Sequence, residues 1–389
     1  MADPVAFHVD VPSGVLADLA ERLAATRWLP RSARPGWAAG VAQTYLRALL
    51  ERWRDGFDWP ARQAWLNRHP QYLAEVDGQV VHFLHVRGRG PAPFPLLLTH
   101  GWPSTCWEFL PLVDHLPGFD LVIPSLPGFG FSQPVPDAAQ IPAVWHRLMT
   151  YVLGHPRYGA HGGDIGAMVT NRLALEFPDA VAGIHVTMPA EPAEPAAGAG
   201  TPTGAERTFL ARRRAAQEAG GGYAHIQRTR PDTIATALND SPAGLAAWIA
   251  DKWHDWSDGD LEAPAHMDDL LTTIMIYWIT GTIGTSFAVY RDWALGSAGR
   301  PEAWAGRPDV PSGVDSKPLS AGERITTPAA VALFEEPVPA ARLRRAYADL
   351  RRCNRMPRGG HFPALDEPAL LAADIREFFQ RLPGVHHPA

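Results

Sequence analysis

The sequence predicts an α/β protein with a mainly parallel central sheet that is interrupted once by a long helical insertion. The first observation is that apolar, strand-like runs alternate with helical periodicity from Phe94 to Met188. The second is that this alternation stops between Ala190 and Trp293, where the chain is helical and rich in Trp. The third is that strand signals resume near Thr327. A chain of 389 residues is long enough to bury a sizeable core with such an insertion.

The N-terminal region is predicted to be helical before the first strands begin. Apolar residues recur at helical spacing in Ser13–Ala25 and again in Ala42–Trp53. The strand predictions that follow are Tyr72–Val76, Gln79–His85 and Phe94–Thr99. The last of these is almost wholly apolar and leads into His100-Gly101-Trp102-Pro103. A continuous apolar strand followed by a glycine-containing loop is typical of a central parallel strand that ends at an active-site edge.

The remaining elements alternate as a parallel sheet requires. Up to the insertion they are helix Trp107–Leu116, strand Asp120–Pro124, helix Ile141–Leu153, the strand that enters Asp164, helix Ala167–Phe177 and strand Val181–Met188. After it they are strand Thr327–Phe334, helix Ala340–Leu350, strand Arg352–Met356 and helix Pro368–Gln380. The predicted domains are an N-terminal extension leading into the first strands (1–93), a first core part (94–189), a helical lid (190–293) and a second core part (294–389).

Charge and cysteine content argue against several classes of protein. The chain has 35 basic and 41 acidic residues, a net charge of −6, and its basic clusters are short, so nucleic acid is not expected as a partner. Cys106 and Cys353 are the two cysteines, which form neither a disulfide framework nor a metal set. The first residues lack a charged and then apolar signal, so a cytoplasmic location is predicted.

One segment has the length of a membrane span. Leu270–Tyr290 contains 21 residues without a charge. Six of them are Ser or Thr and two are Gly, so the segment is only moderately apolar. A helix buried in the protein is therefore favoured, and no membrane anchor is expected.

The segment Tyr158–Thr170 contains the candidate nucleophile, Asp164, between Gly162 and Gly166. Small residues two positions before and after a reactive side chain permit a sharp strand-to-helix turn. The central residue of such a turn is usually Ser, and here it is Asp. A carboxylate is ionised at neutral pH and needs no base before it attacks an electrophilic sp³ carbon, with which it forms an alkyl ester. An isolated Gly-x-Asp-x-Gly is more often a simple turn, so the interpretation depends on its context.

Further motifs occur in order along nearly the whole chain. They are Asp18–Leu23, Thr26–Trp28, Phe57–Trp59, Leu66-Asn67, His100–Pro103, Pro124–Ser132, His161–Asp164, Gly222–Gln227, Tyr277–Thr282 and Arg358–Phe362. In this order they resemble the microsomal-type epoxide hydrolases of the α/β-hydrolase superfamily. The resemblance implies an α/β-hydrolase fold with a helical lid and an N-terminal helical extension. It also implies an enzyme without a cofactor or metal that converts a hydrophobic epoxide and water to a vicinal diol.

The resemblance assigns a role to each matching side chain. Asp164 would attack the epoxide, and His361 would activate the water that hydrolyses the ester. Tyr223 and Tyr290 would hydrogen-bond the epoxide oxygen and donate a proton as the ring opens. A phenol suits this role because it stays protonated at neutral pH.

The resemblance also predicts the oxyanion donors and the acid that orients the histidine. The backbone amides of Trp102 and Ile165 are the expected donors. Both residues would also contact the substrate, together with the two tyrosines. Related enzymes often carry an aromatic residue where this chain has Ile165, which leaves the shape of the substrate open. The acid follows the strand near Phe334, and Glu336 is preferred over Glu335 because it lies farther past that strand.

Two other functions stay open. A dehalogenase also uses an Asp nucleophile on this fold, but its halide leaves as an anion and requires N–H donors, whereas two phenols favour an epoxide. A catalytically silent ligand-binding protein would not need the whole set of residues. A serine esterase is disfavoured because no Gly-x-Ser-x-Gly occurs in the sequence. The identity of the epoxide, a detoxifying or natural-product role, and a monomer or a homodimer are not distinguished.

Overall fold

A nine-stranded sheet lies at the centre of the described part of the chain. The computed structural model describes residues 3–30, 34–192, 202–295, 319, 322–335 and 337–383. The strands are β1 (Val5–Phe7), β2 (Gln71–Val76), β3 (Gln79–Val86), β4 (Phe94–Thr99), β5 (Phe119–Pro124), β6 (Tyr158–Gly162), β7 (Val181–Val186), β8 (Ala329–Leu333) and β9 (Leu350–Arg355). Their order across the sheet is β1-β2-β3-β5-β4-β6-β7-β8-β9.

The sheet is antiparallel at one side and parallel over the rest. The pairs β1–β2, β2–β3 and β3–β5 are antiparallel, and every pair from β5 to β9 is parallel. The central strand β4 is almost wholly apolar because both of its faces are covered. Leu96, Leu97 and Leu98 have no exposed surface, and burying a leucine side chain stabilises a fold by about 1.5–3 kcal/mol. The predicted fold class is confirmed.

The described α-helices either cover the two faces of the sheet or form the insertion between β7 and β8. They are α1 (Ser13–Ala24), α2 (Gln43–Asp55), α3 (Trp59–Leu66), α4 (Ile141–Arg147), α5 (Asp164–Glu176), α6 (Gly204–Gly220), α7 (Gly222–Thr229), α8 (Pro231–Asp240), α9 (Pro242–Trp256), α10 (Pro264–Thr280), α11 (Ile283–Ser286), α12 (Ala288–Leu295), α13 (Ala340–Ala346), α14 (Pro363–Asp366) and α15 (Pro368–Phe379). Helix α5 packs on β4, β6 and β7, whereas α15 packs on the opposite face, where a Cβ at Gly159 would lie 2.5 Å from the ring of Phe379.

Several elements differ from the sequence-based prediction. Strand β1 was not predicted, since its three residues at the edge of the sheet are too few to show a period. The segment Cys106–His115 is a 3₁₀ helix rather than an α-helix. Pro111 lies inside it and cannot donate the backbone hydrogen bond that an α-helix would need at that position.

The helical insertion between β7 and β8 contains α6 to α12. The uncharged run that was predicted as one helix is broken at Gly281, which ends α10 with a left-handed φ of 64°. In the described part of the chain no single helix has the length and hydropathy of a membrane span. Helix α10 and the segment Ile283–Asp292 meet those criteria only as a pair, which is bent by 106°. The division of the chain at residues 93, 189 and 293 stays a prediction.

Candidate active site

Asp164 lies in a sharp turn between β6 and α5. Its backbone φ is 49°, in the left-handed region that residues other than glycine rarely adopt. A Cβ at Gly162 would lie 2.3 Å from the carbonyl carbon of Gly166, and a Cβ at Gly166 would lie 1.8 Å from the carbonyl oxygen of Thr99. The strand and helix can therefore meet this closely only because the flanking residues have no side chains. The turn places the Asp164 carboxylate at the carboxyl edge of the parallel sheet.

The loop after β4 supplies a hydrogen-bond donor to Asp164. The backbone N–H of Trp102 donates to Oδ1 of Asp164 over 2.9 Å. Gly101 allows this approach, because a Cβ there would lie 2.4 Å from the same oxygen. Ile165, the second predicted donor, lies in the first turn of α5, where backbone N–H groups have no acceptor within the helix. Both amides are therefore next to the carboxylate.

His361 lies between two carboxylates. Its Nδ1 is 2.8 Å from Oε1 of Glu335, and its Nε2 is 3.4 Å from Oδ2 of Asp164. The second contact has the length of an ion pair but lacks the alignment of a hydrogen bond. Burial alone would lower the pKa of His361, but the two carboxylates outweigh it and raise the pKa to about 10. His361 is thus a cation at neutral pH, and it lowers the pKa of Glu335 against the opposing effect of burial.

Glu335 occupies the place expected of the orienting acid. It follows the end of β8, and although its side chain is 55% exposed, its carboxylate contacts the imidazole. Glu336, which the sequence analysis preferred, lies outside the described residues. Glu335, the alternative, is therefore the acid whose contact with His361 the structure describes.

The loop that carries His361 is attached to the helical insertion. The N–H of His361 donates to the carbonyl oxygen of Trp256 over 2.8 Å, and the N–H of Gly359 donates to Oδ2 of Asp258 over 2.8 Å. A Cβ at Gly360 would lie 2.3 Å from the Trp256 carbonyl oxygen. The sequence analysis missed this attachment, because no local pattern indicates pairing between residues 101 positions apart.

Tyr223 on α7 and Tyr290 on α12 both contact the indole of Trp102. Tyr223 stacks on it with ring centroids 5.3 Å apart at 8°, and Tyr290 meets it edge-on at 5.8 Å and 87°. The two phenol rings are 6.1 Å apart. The Oη of Tyr290 is buried and has no hydrogen-bond partner among the described residues. Burial, with the nearby charge of Asp164 adding to it, raises the pKa of both phenols, so both stay protonated at neutral pH.

Further aromatic rings complete the walls of the site. Trp256 lies 5.3 Å from the ring of Tyr223 and 4.9 Å from that of His361. Phe287 lies 6.1 Å from the ring of Trp102. The abundance of Trp in the insertion was the signal in the sequence for Trp256. Phe287 was not singled out.

Among the described residues, one cluster outside this site has side chains that can bind metals. Oδ2 of Asp120 lies 3.2 Å from Nε2 of His85 and 3.3 Å from Nε2 of His155. The guanidinium of Arg87 lies 3.1 Å from the same oxygen. Because the exposed Arg87 already supplies a positive charge to Asp120, the contacts describe an ion network around a buried carboxylate. It lies at the amino end of β5, on the edge of the sheet opposite to Asp164.

The geometry defines an α/β-hydrolase fold with a carboxylate at the sharp turn between β6 and α5. Comparison with known proteins supports this assignment of the fold. The family model of the epoxide hydrolase N terminus matches residues 4–109, and that of the alpha/beta hydrolase fold matches residues 95–282.

Two relatives and one solved structure match almost the whole chain. A protein of Stigmatella aurantiaca is 38% identical over 397 residues, which cover 97% of this chain and 84% of the relative. Epoxide hydrolase 1 of Oryctolagus cuniculus is 32% identical over 427 residues, covering 96% and 88%. The crystal structure of juvenile hormone epoxide hydrolase from the silkworm Bombyx mori superposes with a TM-score of 0.84 at 27% identity, covering 98% of this chain and 95% of that one.

The chain belongs to the epoxide hydrolase family, whose members hydrolyse the ether bond of an epoxide. The resemblance identified from the sequence motifs is confirmed.

Proposed function

We propose that this epoxide hydrolase opens a hydrophobic epoxide through a covalent ester on Asp164. The observation that carries the proposal is the convergence of three kinds of group on one carboxylate. The Trp102 amide donates to Asp164, the imidazole of His361 forms an ion pair with it, and its charge acts on the phenols of Tyr223 and Tyr290. Nucleophile, base and proton donors are thus assembled at one point.

The first step is alkylation. The epoxide oxygen accepts hydrogen bonds from Tyr223 and Tyr290, and a carboxylate oxygen of Asp164 attacks a ring carbon from the opposite side. The C–O bond of the ring breaks, and a phenol gives its proton to the developing alkoxide. The Oη of Tyr290 supports this role, because a buried hydroxyl without a protein partner is satisfied when a substrate oxygen accepts its hydrogen bond.

The second step depends on the charge that alkylation removes. Before the reaction His361 is protonated, since Asp164 and Glu335 both stabilise its cation. Conversion of Asp164 to a neutral ester removes one of these carboxylates, so the pKa of His361 falls and the imidazole can lose its proton. The phenolate left by the first step is the base that can take this proton. His361 then becomes a general base only after the ester has formed.

The ester is hydrolysed at the carbonyl carbon of Asp164. Neutral His361 takes a proton from water as the water oxygen attacks, and Glu335 stabilises the resulting imidazolium. The amides of Trp102 and Ile165 donate to the oxyanion of the tetrahedral intermediate. The ester C–O bond then breaks, and the diol leaves with the proton from His361. The proton left on the Asp164 carboxyl moves to His361 and restores the ion pair.

The walls of the site favour a hydrophobic substrate. The ring of Trp102 contacts those of Tyr223, Trp256 and Phe287 beside the catalytic groups. A bulky apolar epoxide would bury its hydrocarbon part against these rings. Detoxification of such epoxides and tailoring of natural products are both compatible with this chemistry.

A single turnover in ¹⁸O-labelled water tests the covalent mechanism. With enzyme in excess, the first-turnover diol should carry unlabelled oxygen from Asp164, because water attacks the ester carbonyl. The label should then appear in the Asp164 carboxylate, which peptide mass spectrometry detects. A first-turnover diol that carries solvent oxygen would mean direct attack of water on the epoxide and would remove Asp164 as the nucleophile.

A further inference from the structure

A small cavity adjoins the Asp164–His361 pair on the side of the 3₁₀ helix Cys106–His115. The cavity volume that is open to the centre of a water molecule is about 20 Å³. This volume is enough for one water. Its lining includes Ser104, Glu108, Asp164 and His361. Tyr223 and Tyr290 do not line this cavity within the described part of the chain. The cavity is therefore separate from the position that the two phenols leave for the epoxide oxygen.

Two polar residues of this cavity, Ser104 and Glu108, have no role in the two chemical steps proposed above. Ser104 is 1% exposed, and its Oγ has no hydrogen-bond partner among the described residues. The hydroxyl is nevertheless close enough to Glu108 to stabilise the charged form of that carboxylate. Glu108 is half-buried, and its carboxyl interacts with the charges of both His361 and Asp164. Burial raises the pKa of Glu108 to about 8, with Asp164 adding to the rise and Ser104 and His361 opposing it. At neutral pH the free enzyme therefore holds Glu108 largely as the uncharged acid.

The unpaired atoms point to a polar ligand of the size of water. Nε2 of His361, the atom that must face the hydrolytic water, also has no hydrogen-bond partner among the described residues. Buried polar groups are nearly always paired with protein or with ordered water. A single water in this cavity could bond to Nε2 of His361, to Glu108 and to Ser104. Three partners are the usual number for a buried water.

We propose that this cavity binds the water that hydrolyses the ester, and that Glu108, aided by Ser104, is the residue that positions it. The proposal rests on the function proposed above and assigns the source and orientation of the water in its second step. The epoxide enters on the side of the tyrosines, and the water occupies the side of the 3₁₀ helix. The ester carbonyl of Asp164 therefore lies between the alkyl group derived from the epoxide and the water.

Both protons of the water have an acceptor in this arrangement. One O–H of the water donates to Nε2 of neutral His361, and the other donates to a carboxyl oxygen of Glu108, which can accept in either protonation state. The water oxygen forms a bond to Cγ of Asp164 while its first proton moves to His361. Collapse of the tetrahedral intermediate breaks the bond between Cγ and the alkyl oxygen, which takes the proton from His361. The proton that remains on the new Asp164 carboxyl then moves to His361, which restores the carboxylate and the imidazolium of the free enzyme. One oxygen of the regenerated Asp164 then comes from the water.

The test separates the two half-reactions in Glu108→Met, which removes both acceptor oxygens, and in Ser104→Ala. Stopped-flow Trp fluorescence and quenched intact-protein mass follow the formation and the decay of the ester. Decay should slow by about 10- to 100-fold in Glu108→Met, the range expected when a hydrogen bond to a reacting group is lost, and by less in Ser104→Ala. Formation should stay close to that of wild type. In steady state kcat and KM should fall together, so that kcat/KM changes little.

Asp114→Asn is the matched control, since Asp114 is exposed on the same 3₁₀ helix. Equal ester decay in Glu108→Met, Ser104→Ala and wild type would overturn the proposal. So would a parallel loss of ester formation and kcat/KM, because a general structural role would produce it. If Glu108→Met does not fold, wild-type ester decay in Ser104→Ala would overturn the proposal. Failure of the wild type to form an ester would instead refute the proposed function, so the two failures are distinguishable.

Discussion

The protonation of His361 provides a direct test of how the two half-reactions are ordered. Asp164→Asn removes the carboxylate charge 3.4 Å from Nε2 while keeping the shape of the side chain. At an effective dielectric constant of about 20, a pair of charges at this separation interacts by about 5 kcal/mol, or roughly 3–4 pKa units. The pKa of His361, about 10 with both carboxylates present, should therefore fall to near or below 7 in the variant. Asp164→Asn imitates the charge of the ester.

The measurement is an NMR titration of ¹⁵N-labelled histidine between pH 5.5 and 11, with His361 assigned from a His361→Gln spectrum. Asp179→Asn, which removes an exposed carboxylate beyond α5, is the control and should leave the titration unchanged.

The rate of ester decay should depend on the same loss of the His361 proton. Decay of the ester should speed up as the pH rises through about 7, because only neutral imidazole accepts a proton, whereas alkylation should not show this increase. If the pKa of His361 is the same in wild type and Asp164→Asn, then alkylation does not release the base and the proposed order of events is wrong.

The remaining predictions concern the roles of the other residues. His361→Gln should form the ester but not hydrolyse it, and intact-protein mass after incubation with substrate should show the trapped adduct; no mass increase with binding retained would mean that His361 is needed earlier. Glu335→Gln should lose more turnover than Glu336→Gln, and the opposite ranking of kcat would make Glu336 the orienting acid. Tyr223→Phe and Tyr290→Phe should each slow alkylation by about 10²–10³-fold, as for the loss of one oxyanion donor, and the double variant should nearly abolish it. Normal alkylation in the double variant would favour a leaving group that needs no proton.

The sequence predicted the parts of the site that depend on local backbone geometry. A Cβ would not fit at the glycines around Asp164 and before Trp102. A short sequence pattern is enough to show this constraint. Residues that meet through the tertiary structure were assigned only by resemblance, as for Tyr223 and Tyr290. Phe287 and Glu108 were not singled out, because neither belongs to a spacing that indicates chemistry by itself. The choice between Glu335 and Glu336 depends on where β8 ends, which a sequence pattern locates only to within a few residues.

The contacts of Trp102 and Trp256 explain how the sheet and the insertion act as one site. The Trp102 amide holds Asp164, while its indole packs against both phenols. The Trp256 carbonyl holds the backbone of His361, while its indole packs against Tyr223. A displacement of the insertion would therefore move the proton donors and the base together relative to the nucleophile. Phe287 of the insertion has no exposed surface, contacts the Trp102 ring and provides none of the hydrogen bonds that hold Asp164 or His361, so a change there should act on the catalytic groups through the position of the Trp102 indole.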